Sequence, residues 1–266
     1  MESNYVPKLD GKETDLAISR LGIKKSNTRI WQLLLLGMLA GLYIGFGGQL
    51  FLVTVASGLG KVLGGVMFSV GLILVVIAGA ELFTGNITIV VGVLAGVIRR
   101  NMMFRNWVTV YVGNFLGSIL LAWLIIHSGL MGSPGSLNEL GTLAAQVAAG
   151  KMALPFGQAL IRGILCNILV ILAIIMSIMA RDIVSKIFAI IFPITCFVAC
   201  GFEHSVANMF LIPVGLMAYG VPLLETWTAF QNILPVTLGN LIGGIMILVI
   251  HPNRIRQIKS LVQDRL

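Results

Sequence analysis

The sequence predicts an all-α membrane protein: six transmembrane helices in two inverted three-helix repeats, with the second and fifth helices broken. Three observations predict it. The 266 residues are 58% hydrophobic and only 11% charged, with a mean hydropathy of +0.99, a composition suited to a chain that crosses a bilayer repeatedly. Six apolar stretches reach the roughly 20 residues that a helix needs to span the hydrocarbon core. The pattern G-x-E-x4-N occurs twice inside such stretches, as Gly79-Ala80-Glu81-Leu82-Phe83-Thr84-Gly85-Asn86 and as Gly201-Phe202-Glu203-His204-Ser205-Val206-Ala207-Asn208.

Residues 1–29 are polar with mixed charge and read as a cytoplasmic amphipathic segment. Within it, residues 13–25 suit a short interfacial helix with Leu16, Ile18, Leu21 and Ile23 as its apolar set. A cleavable signal peptide is not expected, because the first apolar run is too long for an h-region. The channel-sized domain covers 30–252, with spans near 31–57, 62–98, 106–127, 158–180, 184–219 and 229–250. The second and fifth are too long for one straight helix. Each holds one copy of the repeated pattern, so each reads as two half-helices around a break. Residues 128–157 link the halves: Gly129, Gly132, Pro134 and Gly135 interrupt structure, and Ala144 to Ala149 suit a short helix. Residues 253–266 form a basic tail.

Lys and Arg set the orientation. Lys8, Lys12, Arg20, Lys24, Lys25 and Arg29 precede the first span. Arg99, Arg100 and Arg105 follow the second, Arg181 and Lys186 follow the fourth, and Arg254, Arg256, Lys259 and Arg265 follow the sixth. With six spans these groups share one side, which predicts both termini in the cytoplasm and a multi-pass protein of the cell membrane. The other side has Lys61 and Lys151 and little else. Charges confined to short loops and ends exclude nucleic acid as the partner of the net +8. Cys166, Cys196 and Cys200 all fall in predicted spans and read as small buried hydrophobes rather than a disulfide framework.

A second repeated pattern, G-N-x-x-G, occurs as Gly113-Asn114-Phe115-Leu116-Gly117 and Gly239-Asn240-Leu241-Ile242-Gly243. The two patterns recur at offsets of 122 residues (203 minus 81) and 126 residues (239 minus 113). Such offsets fit two three-span repeats, about 31–127 and 158–250. An odd number of spans per repeat inserts the second half upside down, the plan of many transporters and channels.

Polar residues at membrane depth mark function by default. Glu81 and Glu203 are the acids inside the spans. They read either as pore-lining ligands or as scaffolds accepting backbone N–H groups at the breaks, and Asn86, Asn208, Asn114 and Asn240 read as braces between repeats. His204 stands in the second break, where it is either a packed helix-to-helix bond or a proton-titrating site. Thr84 offers a hydroxyl at the first break. Lys151 is either a surface residue or, with the linker folded back toward the pore, an attractor of anions. Arg162, about one turn into the fourth span, reads as snorkelling to the interface. Walker A, HExxH, CxxC and GxSxG signatures are absent from the sequence, so no catalytic residue, metal or cofactor is expected. A water- or glycerol-type pore would need paired Asn-Pro-Ala boxes, which the sequence lacks. A membrane-embedded enzyme using Glu203 and His204 lacks a nucleophile or second ligand cluster.

Gly201 to Met209 resembles the fifth-helix motif of the formate/nitrite transporter family almost letter for letter, and Ala80-Glu81-Leu82-Phe83-Thr84 is similar to its second-helix loop. Lys151 precedes Asn167 by 16 residues, as the family's central lysine precedes its fourth-helix asparagine. The resemblance spans essentially the whole chain. It implies an aquaporin-like fold and a homopentamer in the lipid bilayer, with one pore per protomer for small monovalent anions or their conjugate acids. Formate is first among these, then hydrosulfide or nitrite. It further implies His204, Thr84 and Lys151 as the substrate pathway, with pH-dependent passage linked to His204. Phe68, Leu72, Leu82, Phe83 and Phe197 become its constrictions, and Asn167 joins the polar braces.

Overall fold

The computed structural model describes residues 8–251 and 254–263. The start of the predicted amphipathic segment and part of the predicted basic tail, Arg265 included, lie outside the described residues.

Helix α1 (Gly11–Asn27) opens with a capping box: the Asp10 carboxylate accepts from Glu13 N–H and the Glu13 carboxylate accepts from Asp10 N–H. It is docked on the protein instead of lying loose at an interface. Of the expected apolar set only Ile18 is fully buried, and the docking face is completed by Thr14, Asp15, Ser19, Gly22 and Ser26. At its C-terminal end the Arg105 guanidinium donates to the carbonyls of Ser26 and Thr28.

Helix α2 (Ile30–Ala56) is followed by α3 (Gly60–Leu74), which runs into a π-helical turn, Val75–Gly79. After the break come the short helices α4 (Phe83–Asn86) and α5 (Ile89–Leu94), then α6 (Arg100–His127). A two-stranded hairpin, β1 (Gly132–Ser133) with β2 (Ser136–Leu137), leads into α7 (Glu139–Met152). The second half continues with α8 (Phe156–Met179), α9 (Ile183–Ala199), α10 (Ser205–Tyr219), a 3₁₀ segment (Leu223–Ala229) and α11 (Phe230–Val249). Helix α12 (Arg254–Gln263) returns to α1, where Arg254 Nε donates to buried Asp15 Oδ1 at 2.8 Å.

Among the described residues, five helical stretches are long and apolar enough to cross a membrane: Ile30–Ala56, Gly60–Gly79, Arg100–His127, Phe156–Met179 and Leu223–Val249. The fifth predicted span, 184–219, is divided between α9 and α10. Within each half the first and last long helices meet backbone to backbone, which small residues permit. A Cβ on Gly117 would strike the Met38 carbonyl, and one on Gly243 would strike the Ile164 carbonyl. These contacts are the same pair moved on by 126 residues.

Residues 128–157, expected to be a linker with a short helix, differ from that expectation. Helix α7 is longer, is capped by Asn138, and packs close enough to α10 that a Cβ on Gly215 would meet the Ala144 carbonyl. At the 126-residue offset α7 coincides with α1, so each half begins with a short helix ahead of its apolar segments. All three cysteines are free thiols. Cys166 is buried as expected, but Cys196 on α9 and Cys200 just after it are exposed.

Candidate functional site

Both helix breaks are built the same way. Gly79 and Gly201 have φ of +88° and +72°, a left-handed turn that any side chain would strain. The chain is extended at Leu82 and His204, and the Glu before each pairs its N–H with the first long helix of its own half: Glu81 N donates to Leu36 O at 3.1 Å, and Glu203 N to Arg162 O at 3.2 Å. Asn114 donates to the carbonyls of Gly37 and Glu81 and accepts from Phe83 N–H. Asn240 donates to those of Gly163 and Glu203 and accepts from Ser205 N–H. These bonds occupy backbone groups that a break would otherwise leave unpaired at membrane depth.

Each of the two carboxylates holds a lysine and an asparagine. Glu81 Oε2 accepts from Lys25 Nζ at 2.8 Å and from Asn86 Nδ2 at 2.7 Å. Glu203 accepts from Lys151 Nζ at 2.9 Å through both oxygens and from Asn208 Nδ2 at 2.6 Å. Asn106 closes the first cluster, bonding Asn86 and the Lys25 carbonyl; Asn232 closes the second, bonding Asn208 and the Lys151 carbonyl. Sequence reading missed Lys25, Asn106 and Asn232. The signal was available, since each stands 126 residues from a counterpart of the same type: Lys151, Asn232 and Asn106.

The breaks diverge where they meet. His204 is the N-cap of α10, its Nδ1 accepting from Ala207 N–H at 3.1 Å. That acceptor role assigns the ring proton to Nε2, which donates to Thr84 Oγ1 at 2.9 Å. Both side chains are buried. Asn167 on α8 supports the site from behind, donating to the Asn240 carbonyl at 2.7 Å and standing 3.5 Å from the Thr84 carbonyl. Buried Asn167 Oδ1 and Ser205 Oγ have no partner among the described residues.

A cavity approaches this waist from each side. The one on the face bearing both termini measures about 730 Å³, and its lining includes Lys24, Lys25, Glu81, Leu72 and Leu82. The one on the far face measures about 310 Å³, and its lining includes Lys61, Lys151, Arg162, Phe68, Phe197 and His204. Phe68 and Phe197 meet edge to face at 5.7 Å, and Phe197 stacks on the His204 ring at 5.9 Å. Phe83, expected to be one of the constrictions, turns away: its ring packs on Tyr111 and Trp107 of α6 and lines neither cavity.

With this geometry in hand, comparison with known proteins matches the description "Formate/nitrite transporter" over residues 12–252. A probable formate transporter of Methanothermobacter thermautotrophicus is 41% identical over 254 residues, covering 87% of this chain and 91% of that protein. The formate channel FocA of Escherichia coli (strain K12) is 35% identical over 248 residues, covering 84% and 86%. Among solved structures, a pentameric formate channel with formate bound superposes with a TM-score of 0.71 at 33% identity, covering 83% of this chain and 94% of that one.

Proposed function

The chain belongs to the formate/nitrite transporter family, and on that premise we propose a homopentameric channel of the cytoplasmic membrane for small monovalent anions, formate foremost. Hydrosulfide and nitrite are the other candidates. As a family member the chain is a multi-pass transport protein and not an enzyme. The solved pentameric relative supports the homopentamer. The crowding of Lys and Arg on the face with both termini supports a cytoplasmic location for that face. The two halves then cross the bilayer in opposite senses.

One observation carries the reading: the buried Thr84–His204 bond lies between two cavities, with apolar Leu72 and Leu82 lining one and Phe68 and Phe197 the other. A bare anion entering so dry a waist faces an idealised solvation cost of order 20 kcal/mol, less after relaxation. Protonating a weak carboxylic acid three pH units above its pKa costs about 4 kcal/mol. Protonation is the less costly route. In the proposed step His204 takes a proton at Nδ1 from the far cavity, releasing Ala207 N–H. Its Nε2 proton passes to Thr84 Oγ1, and the Thr84 hydroxyl proton passes to the carboxylate. The neutral acid crosses the apolar ring, and the imidazole is left neutral. The rival route keeps the anion charged and stabilises it at the half-helix N-termini.

Formate-driven flux into proteoliposomes, with nitrite and hydrosulfide as competitors at two pH values, tests the assignment. Flux well above protein-free vesicles, strongest for formate, is expected. No anion flux above that background overturns the reading.

A further inference from the structure

Lys151, expected to attract anions, is engaged already. Its ammonium is 2.9 Å from both oxygens of Glu203, and the two side chains are only 16% and 6% exposed. To an anion several ångströms away such a pair is a dipole rather than a free positive charge. The same holds across the molecule for Lys25 and Glu81, at 2.8 Å.

The far cavity holds two further cations, Lys61 and Arg162. Neither makes an ion pair or a side-chain hydrogen bond among the described residues. Once Lys151 is set against Glu203, the charged lining of that cavity retains these two positive charges, the His204 ring accepting from Ala207 N–H through Nδ1. The other acids of that face, Glu139 and Glu225, are exposed and outside the lining. Arg162 is not snorkelling clear of the pore: it is half-buried, and its own carbonyl receives the Glu203 N–H that forms the break. Both cations depart from the repeat. At the matching offsets the first half has Leu36 for Arg162, and the second half has Ile183 for Lys61. A low-dielectric cleft lined by one sign of charge focuses its field and raises the local concentration of the opposite ion.

We propose that Lys61 and Arg162 are the anion-capturing cations of the far mouth, while Lys151 is a charge-balanced strut that holds Glu203 at the second break. This rests on the anion-channel reading above and names the residues that recruit its substrate.

The test uses the full-length protein in proteoliposomes sorted for orientation, with formate supplied on the far face. Initial rates are taken across formate concentrations at about 0.01 M ionic strength, where the Debye length is about 30 Å, and at about 1 M, where it is about 3 Å. In the double variant Lys61→Gln/Arg162→Gln the rate per unit of subsaturating formate falls about 3- to 10-fold at low salt. The saturating rate holds and the deficit closes at high salt. The charge-conserving double variant Lys61→Arg/Arg162→Lys restores the low-salt rate. A neutral variant equal to the unmodified protein at low salt, or a deficit that persists at high salt, overturns the proposal. If the unmodified protein itself carries no anion, the anion-channel reading falls and takes this one with it.

Discussion

At the first break the chain turns at Gly79, Leu82 precedes the four-residue α4, and Thr84 follows. At the second it turns at Gly201, His204 caps the fifteen-residue α10, and Val206 stands where Thr84 would be. The Glu–Lys–Asn–Asn clusters and the Asn114 and Asn240 braces are the same in both. The residues that repeat hold the breaks open at membrane depth. Among the residues that depart from the repeat, Thr84 and His204 bond each other at the waist, and Lys61 and Arg162 line the far cavity. On the proposed reading, symmetry marks the scaffold and its violation marks the residues that act on the solute.

The largest effects should come from the scaffold and be nearly equal in the two halves. Glu203→Ala strands a poorly exposed ammonium and an amide, at about 3–5 kcal/mol. Glu81→Ala should cost somewhat less, because its side chain is 12% exposed against 6% for Glu203. Thermal unfolding in detergent reads both, and losses under about 1 kcal/mol would remove the carboxylates from the scaffold. Asn114→Ala and Asn240→Ala each delete three hydrogen bonds, about 1 kcal/mol apiece. Their losses of stability should match; a cost confined to one half would break the comparison.

Smaller stability effects, with larger effects on transport, are expected where the halves differ. Thr84→Val makes the first break resemble the second and removes the acceptor of the His204 Nε2 proton. It should lower stability by only about 1 kcal/mol and sharply reduce formate flux, whereas Thr84→Ser keeps the hydroxyl and most of the flux. Equal flux in the two variants would detach the hydroxyl from transport.

Much of this was legible in the sequence. The spans stand out because hydrocarbon admits few charges, and the breaks stand out because G-x-E-x4-N and G-N-x-x-G recur at fixed offsets. Glycine two residues before Glu is the left-handed turn, and Asn five residues after it is the carboxylate's partner. Other features were hidden. The equivalence of α1 and α7 is carried among their charged residues by two pairs, Glu13 with Glu139 and Lys25 with Lys151, and the unmatched charges Lys12, Asp15, Arg20 and Lys24 of α1 obscure it. The same offset search extended to single residues would have found Asn106 and Asn232. That Phe83 turns to Tyr111 and Trp107 depends on packing between helices distant in sequence.

The claim that the departures from symmetry carry the chemistry is tested most directly at His204. His204→Asn keeps a side-chain acceptor for the α10 N-cap but cannot titrate. Formate flux and the accompanying internal pH change, recorded together in proteoliposomes, separate fold from proton transfer. The account predicts a stably folded variant in which the proton no longer moves with formate. Proton movement coupled to formate as in the unmodified protein would contradict it.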